Sequence, residues 1–423
     1  MKIAVFDNLA NNAYSLTKIF RKYGYEADLL LDISDTYPMS QPIWDDCDFI
    51  ISTDLLEDGK LTHVYWRGKC VGLKWERPRW IKETIRTAKI KSLFKLLRHT
   101  HDHLHLIKTA IEHRSLFPCS YEQITDAMKE YDVIIAFGLG PIYAFSADVP
   151  FIHYPYGGDL TLIPFQTNAI GSLQKGAVRH AKYIIVGDPG YLVYLKKLEI
   201  ESKAVFLPFM IDPDVYKPIP KNGAADALEP DLIDRIQNKF TFFVPSRQDF
   251  CWKGSDKILI AFSKLIQQRS DIFMILSGWG KDLEKSKKMV DQLNLVDHTL
   301  FLPYIMSKKK LINFYSLVDV VIDQFNLGAY GTSTMEAMAC GKPVIMNCDI
   351  SRYAPYFKEL PPILTARSVD EIYSQMLKVS ENEYDICGQT GKKSREWIME
   401  YHGTKNNFDK LMKLCQECLG QHK

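Results

Sequence analysis

Two cations and a carboxylate are the residues whose types and spacing suggest chemistry. Arg247 and Lys253, in the run PSRQDFCWKGS, lie between an apolar β-type run, Phe240 to Val244, and a helical pattern capped by Ser255. Two cations beside a helix N-terminus fit a diphosphate, because charge, hydrogen bonding and the helix dipole all favour an anion there. Alone, the pair also describes an ordinary charged surface. Glu336 sits further on, in DVVIDQFNLGAYGTSTMEAMACGKPVIMN, which runs from Asp319 to Asn347. Val320-Val321-Ile322 reads as a buried strand. Gly328 and Gly331 free the loop, Thr332 to Thr334 can open a helix, and Val344-Ile345-Met346 is the next strand. This βαβ unit leaves backbone N–H groups of Gly331 and Thr332 at a helix start, a natural place for phosphate. Glu336, one turn in, could accept hydrogen bonds from sugar hydroxyls. It could equally close an S-x-x-E capping box with Ser333.

A second set of candidates lies in the first half. Tyr154-Pro155-Tyr156-Gly157-Gly158-Asp159 follows the apolar run Pro150 to Tyr154, and its glycines let backbone approach a ligand. Asp159, at a strand's carboxyl end, can contact a ligand, or cap the next helix as a turn residue. His153 reads as packed within the strand. Asn8, Asn11 and Asn12 follow the first strand, Lys2 to Phe6, and either touch a ligand or form the turn and cap.

The elements that position these residues alternate between strand and helix. The expected strands are 2–6, 25–31, 48–52, 132–137, 150–154, 183–186 and 204–207, then 240–244, 272–276, 299–302, 320–322 and 344–346. Such alternation implies an α/β chain of parallel, doubly wound sheets, in which ligands bind beyond the carboxyl ends of strands. A single core rarely grows past roughly 250–300 residues, so 423 residues imply two domains. With 46% hydrophobic and 25% charged residues the composition is that of an ordinary soluble protein, and a net charge of +2 demands no nucleic acid. The cysteines are nine, an odd number, and scattered, which points to a reducing compartment. MKIAVFDNLA reads as a strand start rather than a signal peptide, and no apolar run reaches the length of a membrane span. From Arg67 to Arg98 the cations face only Glu76 and Glu83, and from Trp80 onward the apolar pattern is helical. That stretch, 67–98, fits either a peripheral contact with an anionic membrane or a solvated face. The His99 to His105 run has histidines four apart on a helix, but two ligands do not make a metal site, and none is expected.

On these residues the chain resembles the retaining glycosyltransferases of the GT-B fold, specifically the large family 4 (glycosyl transferases group 1). Their signature is a Glu, seven residues and a second Glu, with Gly-aromatic-Gly after the first. Glu336 matches the second Glu, Ala337 to Val344 continues as the family does, and Tyr330-Gly331 fits the aromatic-Gly part. Gly328 stands where the first Glu belongs. The resemblance implies two Rossmann-like doubly wound domains facing a cleft: an acceptor domain 1–208, a linker 209–238, a donor domain 239–402, and a last helix 403–423 crossing back. It implies that Arg247 and Lys253 neutralise the donor diphosphate and that Glu336 holds the nucleotide ribose. Gly278, in Gly278-Trp279-Gly280, and Tyr304, beyond the strand Thr299 to Leu302, would border the donor. Asn11, Asn12 and Asp159 would meet the acceptor.

The expected activity is transfer of a sugar, with retention, from a nucleotide-diphosphate sugar to a hydroxyl of a glycan or lipid-linked acceptor. Neither cofactor nor metal is expected, since protein cations can neutralise the leaving group. The expected setting is cytoplasmic, at or near the inner face of a membrane, in polysaccharide or glycoconjugate synthesis. The alternatives are a nucleotide-sugar-binding protein on a decayed transferase fold and a sugar-nucleotide epimerase.

Overall fold

In the computed structural model, the described residues are 1–32, 38–53, 56–57, 60–61, 75–84, 121–226, 228–381 and 385–420. The chain divides into two compact units, one of Met1–Pro42, Lys74–Met210 and Thr404–Lys423, the other of Ile43–Leu73 and Ile211–Gly403.

Unit 1 is built on a seven-stranded sheet in the order Ala204–Phe206, Tyr183–Val186, Phe151–His153, Val133–Ala136, Ile3–Phe6, Ala27–Asp32, Ile81–Thr84. Every pairing is parallel. Successive side chains of a strand point to opposite faces, and both faces are buried here. Ile3, Val5, Val133 and Ile135 pack against the helix Asn12–Lys22 and the helix Thr404–Gly420, through Tyr14, Phe20, Phe408, Leu411 and Cys415. Ala4, Phe6, Ile134 and Ala136 pack against helices Tyr121–Met128, Gly140–Ala147 and Ala169–His180. Covering on both faces is why these strands read as continuous apolar runs. Cys415 and Cys418 are part of that core. The sheet order reverses between Ile3–Phe6 and Val133–Ala136.

Two expectations about this sheet are corrected. Residues 48–52 do not form its third strand: Ile50–Ser52 pairs antiparallel with Tyr304–Met306 in unit 2. The place is taken by Ile81–Thr84, at the start of the stretch read as helical. Ile81 is buried opposite Leu29, while Lys82 and Glu83 are exposed. A short edge strand with one inward apolar residue is easily taken for part of a helical stripe. The rest of the basic stretch 67–98, apart from 75–84, and the His99 to His105 run lie outside the described residues.

Unit 2 has a six-stranded parallel sheet in the order Thr299–Leu302, Ile272–Ser277, Phe240–Val244, Val320–Ile322, Val344–Met346, Leu364–Thr365. Helices Ser255–Ile266 and Val369–Glu381 bury Ile258, Phe262, Ile372 and Met376 with Phe242, Val244 and Val320 of the sheet. The chain steps outward from Phe240–Val244 in one direction and returns at Val320–Ile322 to step the other way. The carboxyl ends of these two neighbours form the switch point where ligands bind in such sheets.

The segment expected as linker is folded into unit 2. Lys221–Ala225 and Pro230–Ile236 are helices, and Ala224, Leu228, Leu232 and Ile236 are buried at four-residue steps. The prolines and acidic residues between them hide that period. Among the described residues no helix is long and apolar enough to cross a membrane.

Candidate functional site

At the switch point of unit 2 the organising residue is Asp323, directly after Val320–Ile322 and 2% exposed. One carboxylate oxygen accepts from Ser246 Oγ at 2.7 Å and the other from Thr334 Oγ1 at 2.7 Å. Ser246 follows the strand Phe240–Val244, and Thr334 lies in the first turn of the helix Thr332–Ala339. One buried carboxylate thus ties two strand ends to one helix start. Gln324 adds a second tie. Its Oε1 accepts from Lys253 Nζ at 2.7 Å, and its Nε2 donates to the carbonyl of Ala329 at 2.7 Å.

The two cations sit on these ties with different partners. Arg247 meets the Asp249 carboxylate at 3.2 and 3.3 Å. Asp249, 3% exposed, also accepts from the Trp252 N–H at 3.0 Å and lies 3.1 Å from Lys281 Nζ. Burial alone would raise its carboxyl, but the Trp252 N–H, Lys281 and Arg247 outweigh that and hold it below the usual carboxylate range. Lys253 has the neutral Gln324 amide instead, so its charge is not cancelled by that partner. Ser255 is the first residue of its helix rather than the cap: Gly254 caps it with φ 68°, and Ser255 Oγ accepts the Asp249 N–H.

The helix Thr332–Ala339 starts from Gly331, whose N-cap position carries no side-chain hydrogen bond. Ser333 lies inside the helix, so no capping box forms. Glu336 turns its carboxylate into the protein, 1% exposed, where Lys308 Nζ approaches to 2.5 Å and Tyr315 OH to 3.4 Å. Burial raises its carboxyl above the ordinary value, and Lys308 is the main force opposing that rise.

The structure brings Arg247, Lys253, Gly331 and Thr332 to this one switch point, while the Glu336 carboxylate, one turn into the helix, is buried on Lys308 and Tyr315. Three other expected donor residues are engaged in packing. A Cβ on Gly278 would lie 1.9 Å from the Leu302 carbonyl oxygen, so glycine is needed for the close approach of two strand ends. Tyr304 is 7% exposed and donates to Glu229 at 2.8 Å. Tyr330 stacks on Tyr353 at 4.8 Å, with its hydroxyl 3.2 Å from His402 Nε2.

In unit 1 the expected acceptor residues are also internal. Asn8 accepts the Tyr14 N–H and donates to Asn11 Oδ1 and the Ser40 carbonyl. Asn11, in the left-handed region with φ 57°, donates to the Gln41 carbonyl. Asn12 opens the helix Asn12–Lys22 and is 9% exposed. These amides hold the loop after the first strand. Asp159, 6% exposed, accepts from the N–H groups of Tyr156 and Gly157 at 2.7–3.1 Å. His153 lies behind it: Nδ1 meets the Ala136 carbonyl at 2.9 Å, and Nε2, without a hydrogen-bond partner, is 3.7 Å from Asp159 Oδ2.

Burial lowers His153 to about 4 and pushes Asp159 up to about 7, against the opposing pull of the loop N–H groups. Between the ordinary carboxylate value of 3.8 and about 7, the folded chain then keeps a proton that the unfolded chain releases. Stability contributed by that proton falls as pH rises through the window. His153 works the other way, losing stability as pH falls from 6.5 toward about 4. Asp159→Asn removes only the first effect. Thermal melts of both proteins from about pH 4.5 to 7.5 are expected to show the wild type losing ground to the variant as pH rises. A constant difference would mean that the carboxylate is already ionised on its N–H partners.

Sequence reasoning missed Asp323, Gln324 and Lys308. The first two directly follow a switch-point strand, and that position was signal enough to nominate them. Lys308 has no such signal, since it reaches Glu336 from a helix 28 residues upstream.

Residues 233–397 match the family model of glycosyl transferases group 1. An uncharacterized glycosyltransferase of Methanocaldococcus jannaschii is 26% identical over 184 residues, which are 43% of this chain and 46% of that protein. The D-inositol 3-phosphate glycosyltransferase of Mycolicibacterium smegmatis is 31% identical over 136 residues, 32% of this chain and 30% of that protein. Each match spans less than half of the relative's length. Solved structures match nearly end to end. HepE of Anabaena, in complex with UDP and glucose, superposes with a TM-score of 0.68 at 15% identity, covering 99% of this chain and 100% of that one. Sucrose-phosphate synthase of Thermosynechococcus elongatus superposes with a TM-score of 0.65 at 13% identity, covering 100% of both. The chain therefore has the GT-B fold, and residues 233–397 of unit 2 match the family model of glycosyl transferases group 1.

Proposed function

We propose that the chain is a retaining glycosyltransferase of family 4 that moves a hexosyl group from a nucleotide-diphosphate sugar to a hydroxyl of a glycan or lipid-linked acceptor. The observation that carries this reading is the convergence of Arg247, Lys253 and the uncapped start of Thr332–Ala339 at adjacent strand ends, with Glu336 one turn behind. The family match over the same residues supports it, as do the nucleotide complexes of the Anabaena neighbour, with UDP and with UDP-glucose. Glu336 accepts hydrogen bonds from the ribose. Arg247, Lys253 and the first helix N–H groups receive the diphosphate and stabilise the charge that grows on it.

In the transfer the bond from the anomeric carbon to the phosphate oxygen breaks, and its electron pair leaves with the diphosphate. The acceptor oxygen bonds on the same face, and its proton passes to the departing phosphate oxygen. Protein cations do the neutralising, so transfer runs without a divalent metal. Acceptor recognition belongs to unit 1, around Asp159 and the loop of Asn11 and Asn12. The enzyme acts on the cytoplasmic side, with the basic stretch 67–98 as its contact with an anionic membrane, in glycoconjugate or polysaccharide synthesis.

The test is ligand-observed NMR with UDP, GDP, ADP and dTDP in excess EDTA. One nucleotide is expected to bind, and Glu336→Ala, checked for folding by circular dichroism, is expected to lose it. A second reading rests on Gly328, which removes a carboxylate from the signature: a binding protein on a decayed fold. A nucleotide that binds without any transfer to a panel of glycan acceptors would favour that reading. If no nucleotide binds, the donor site itself is wrong.

A further inference from the structure

Gln324 joins two parts of the candidate donor site through one side chain. It is 5% exposed and lies two residues past the strand Val320–Ile322. The backbone around it is fixed. The Asp323 N–H donates to the Ile345 carbonyl at 3.1 Å, the Asn347 N–H to the Gln324 carbonyl at 2.9 Å, and the Phe325 N–H to the Lys253 carbonyl at 2.9 Å. Asn326 Nδ2 adds bonds to the Phe250 and Cys251 carbonyls at 2.8 and 3.0 Å. The segment after the strand is thus zipped onto the loop that carries Lys253.

The Gln324 amide has one orientation that satisfies both of its ends. An ammonium only donates, so the atom 2.7 Å from Lys253 Nζ is the amide oxygen. A carbonyl only accepts, so the atom 2.7 Å from the Ala329 oxygen is the amide nitrogen. Among the described residues Gln324 is the side-chain partner of that ammonium, and two of its three N–H groups remain for a ligand. Ala329 lies in the turn leading to the uncapped helix start at Thr332. A lysine ammonium rides on a flexible stem and needs a partner to stay in one place. A carboxylate at 324 would hold it but cancel its charge, and would also set acceptor against acceptor at Ala329. An apolar side chain of the same length would hold neither end. The amide holds the cation and leaves it charged.

Resting on the donor reading above, we propose that Gln324 is a positioning residue of the donor site, whose amide aims the Lys253 ammonium at the diphosphate without neutralising it.

The experiment first finds the nucleoside diphosphate that binds, among UDP, GDP, ADP and dTDP. The bare diphosphate carries the full charge of the leaving group, so its affinity reports what Lys253 does. Calorimetry then measures that affinity for the wild type, Gln324→Met, Lys253→Met and the double variant, each with a wild-type melting temperature. Gln324→Met is expected to weaken binding roughly tenfold when Lys253 is present and about twofold at most when it is not, the non-additivity of residues in direct contact. A purely structural tie would give the same loss in both backgrounds. Should Gln324→Met not fold, Gln324→Asn, which keeps the amide but not its reach, takes its place in the cycle. Gln324→Glu, which keeps a partner on the ammonium but cancels its charge, is expected to weaken binding at least as much as Gln324→Met. Additive losses, or a Gln324→Glu variant with wild-type affinity, overturn the inference and leave the donor reading standing. Wild-type affinity in Lys253→Met removes the diphosphate assignment of Lys253 and this inference with it. Failure of every nucleotide to bind the wild type removes the donor reading as a whole.

Discussion

Lys253→Ala is expected to lower kcat/KM for sugar transfer by about 10²- to 10³-fold, the cost of removing one preorganised group aimed at developing charge. Arg247→Ala is expected to cost less. The difference follows from their partners. Arg247 shares its charge with Asp249, which Lys281 also attends, so its loss leaves a carboxylate that keeps one cation. Among the described residues Lys253 has only a neutral amide from Gln324, and its charge is available to the leaving diphosphate. Because that charge appears as the bond breaks, the loss falls mainly on kcat, with a smaller effect on the KM for donor. Steady-state kinetics on variants with wild-type melting temperatures would measure it. A Lys253→Ala enzyme within a few-fold of the wild type would remove the diphosphate assignment.

What the sequence made legible follows from how local the signals are. The buried strands were readable because FTFFV and VIIA are apolar on both faces, and doubly wound parallel sheets follow from their alternation with helices, while the GT-B fold came from the family resemblance. Arg247, Lys253 and Glu336 were readable through the family signature. The residues that assemble them were not. Asp323 is significant because Ser246, 77 positions earlier, and Thr334, 11 later, meet on its two oxygens, and only the sheet order creates that meeting. The same holds for the misplaced strand. Ile50–Ser52 has the composition of any short strand, and its partner Tyr304–Met306 lies some 250 residues away. Polar residues such as Asn11 and Asp159 were legible as present at strand ends, but not as turned inward. That depends on which N–H groups and carbonyls the loop itself leaves to be satisfied.

Lys308→Met is expected to destabilise the protein by about 3–5 kcal/mol at neutral pH, the cost of stranding a buried charge without its partner. Glu336 is 1% exposed and the Lys308 side chain 15% exposed, so water compensates neither. The sign with pH is fixed by the direction of the shift. Burial already holds the Glu336 carboxyl above its ordinary value of 4.5, and Lys308 is the main force pulling it down. Without Lys308 the carboxyl rises further, and the folded variant keeps a proton that the unfolded chain has released. The loss is therefore small near or below the ordinary value and grows as pH rises through the folded one. Adding Glu336→Gln to Lys308→Met removes the stranded charge and is expected to recover much of the stability at neutral pH. Denaturant melts of the three proteins at two pH values measure this directly. If Lys308→Met is as stable as the wild type, or loses the same amount at both values, Glu336 carries no buried charge. That result would reach the proposed function as well, because a ribose hydroxyl is held best by a carboxylate kept ionised and aimed, and Lys308 is the group that does both.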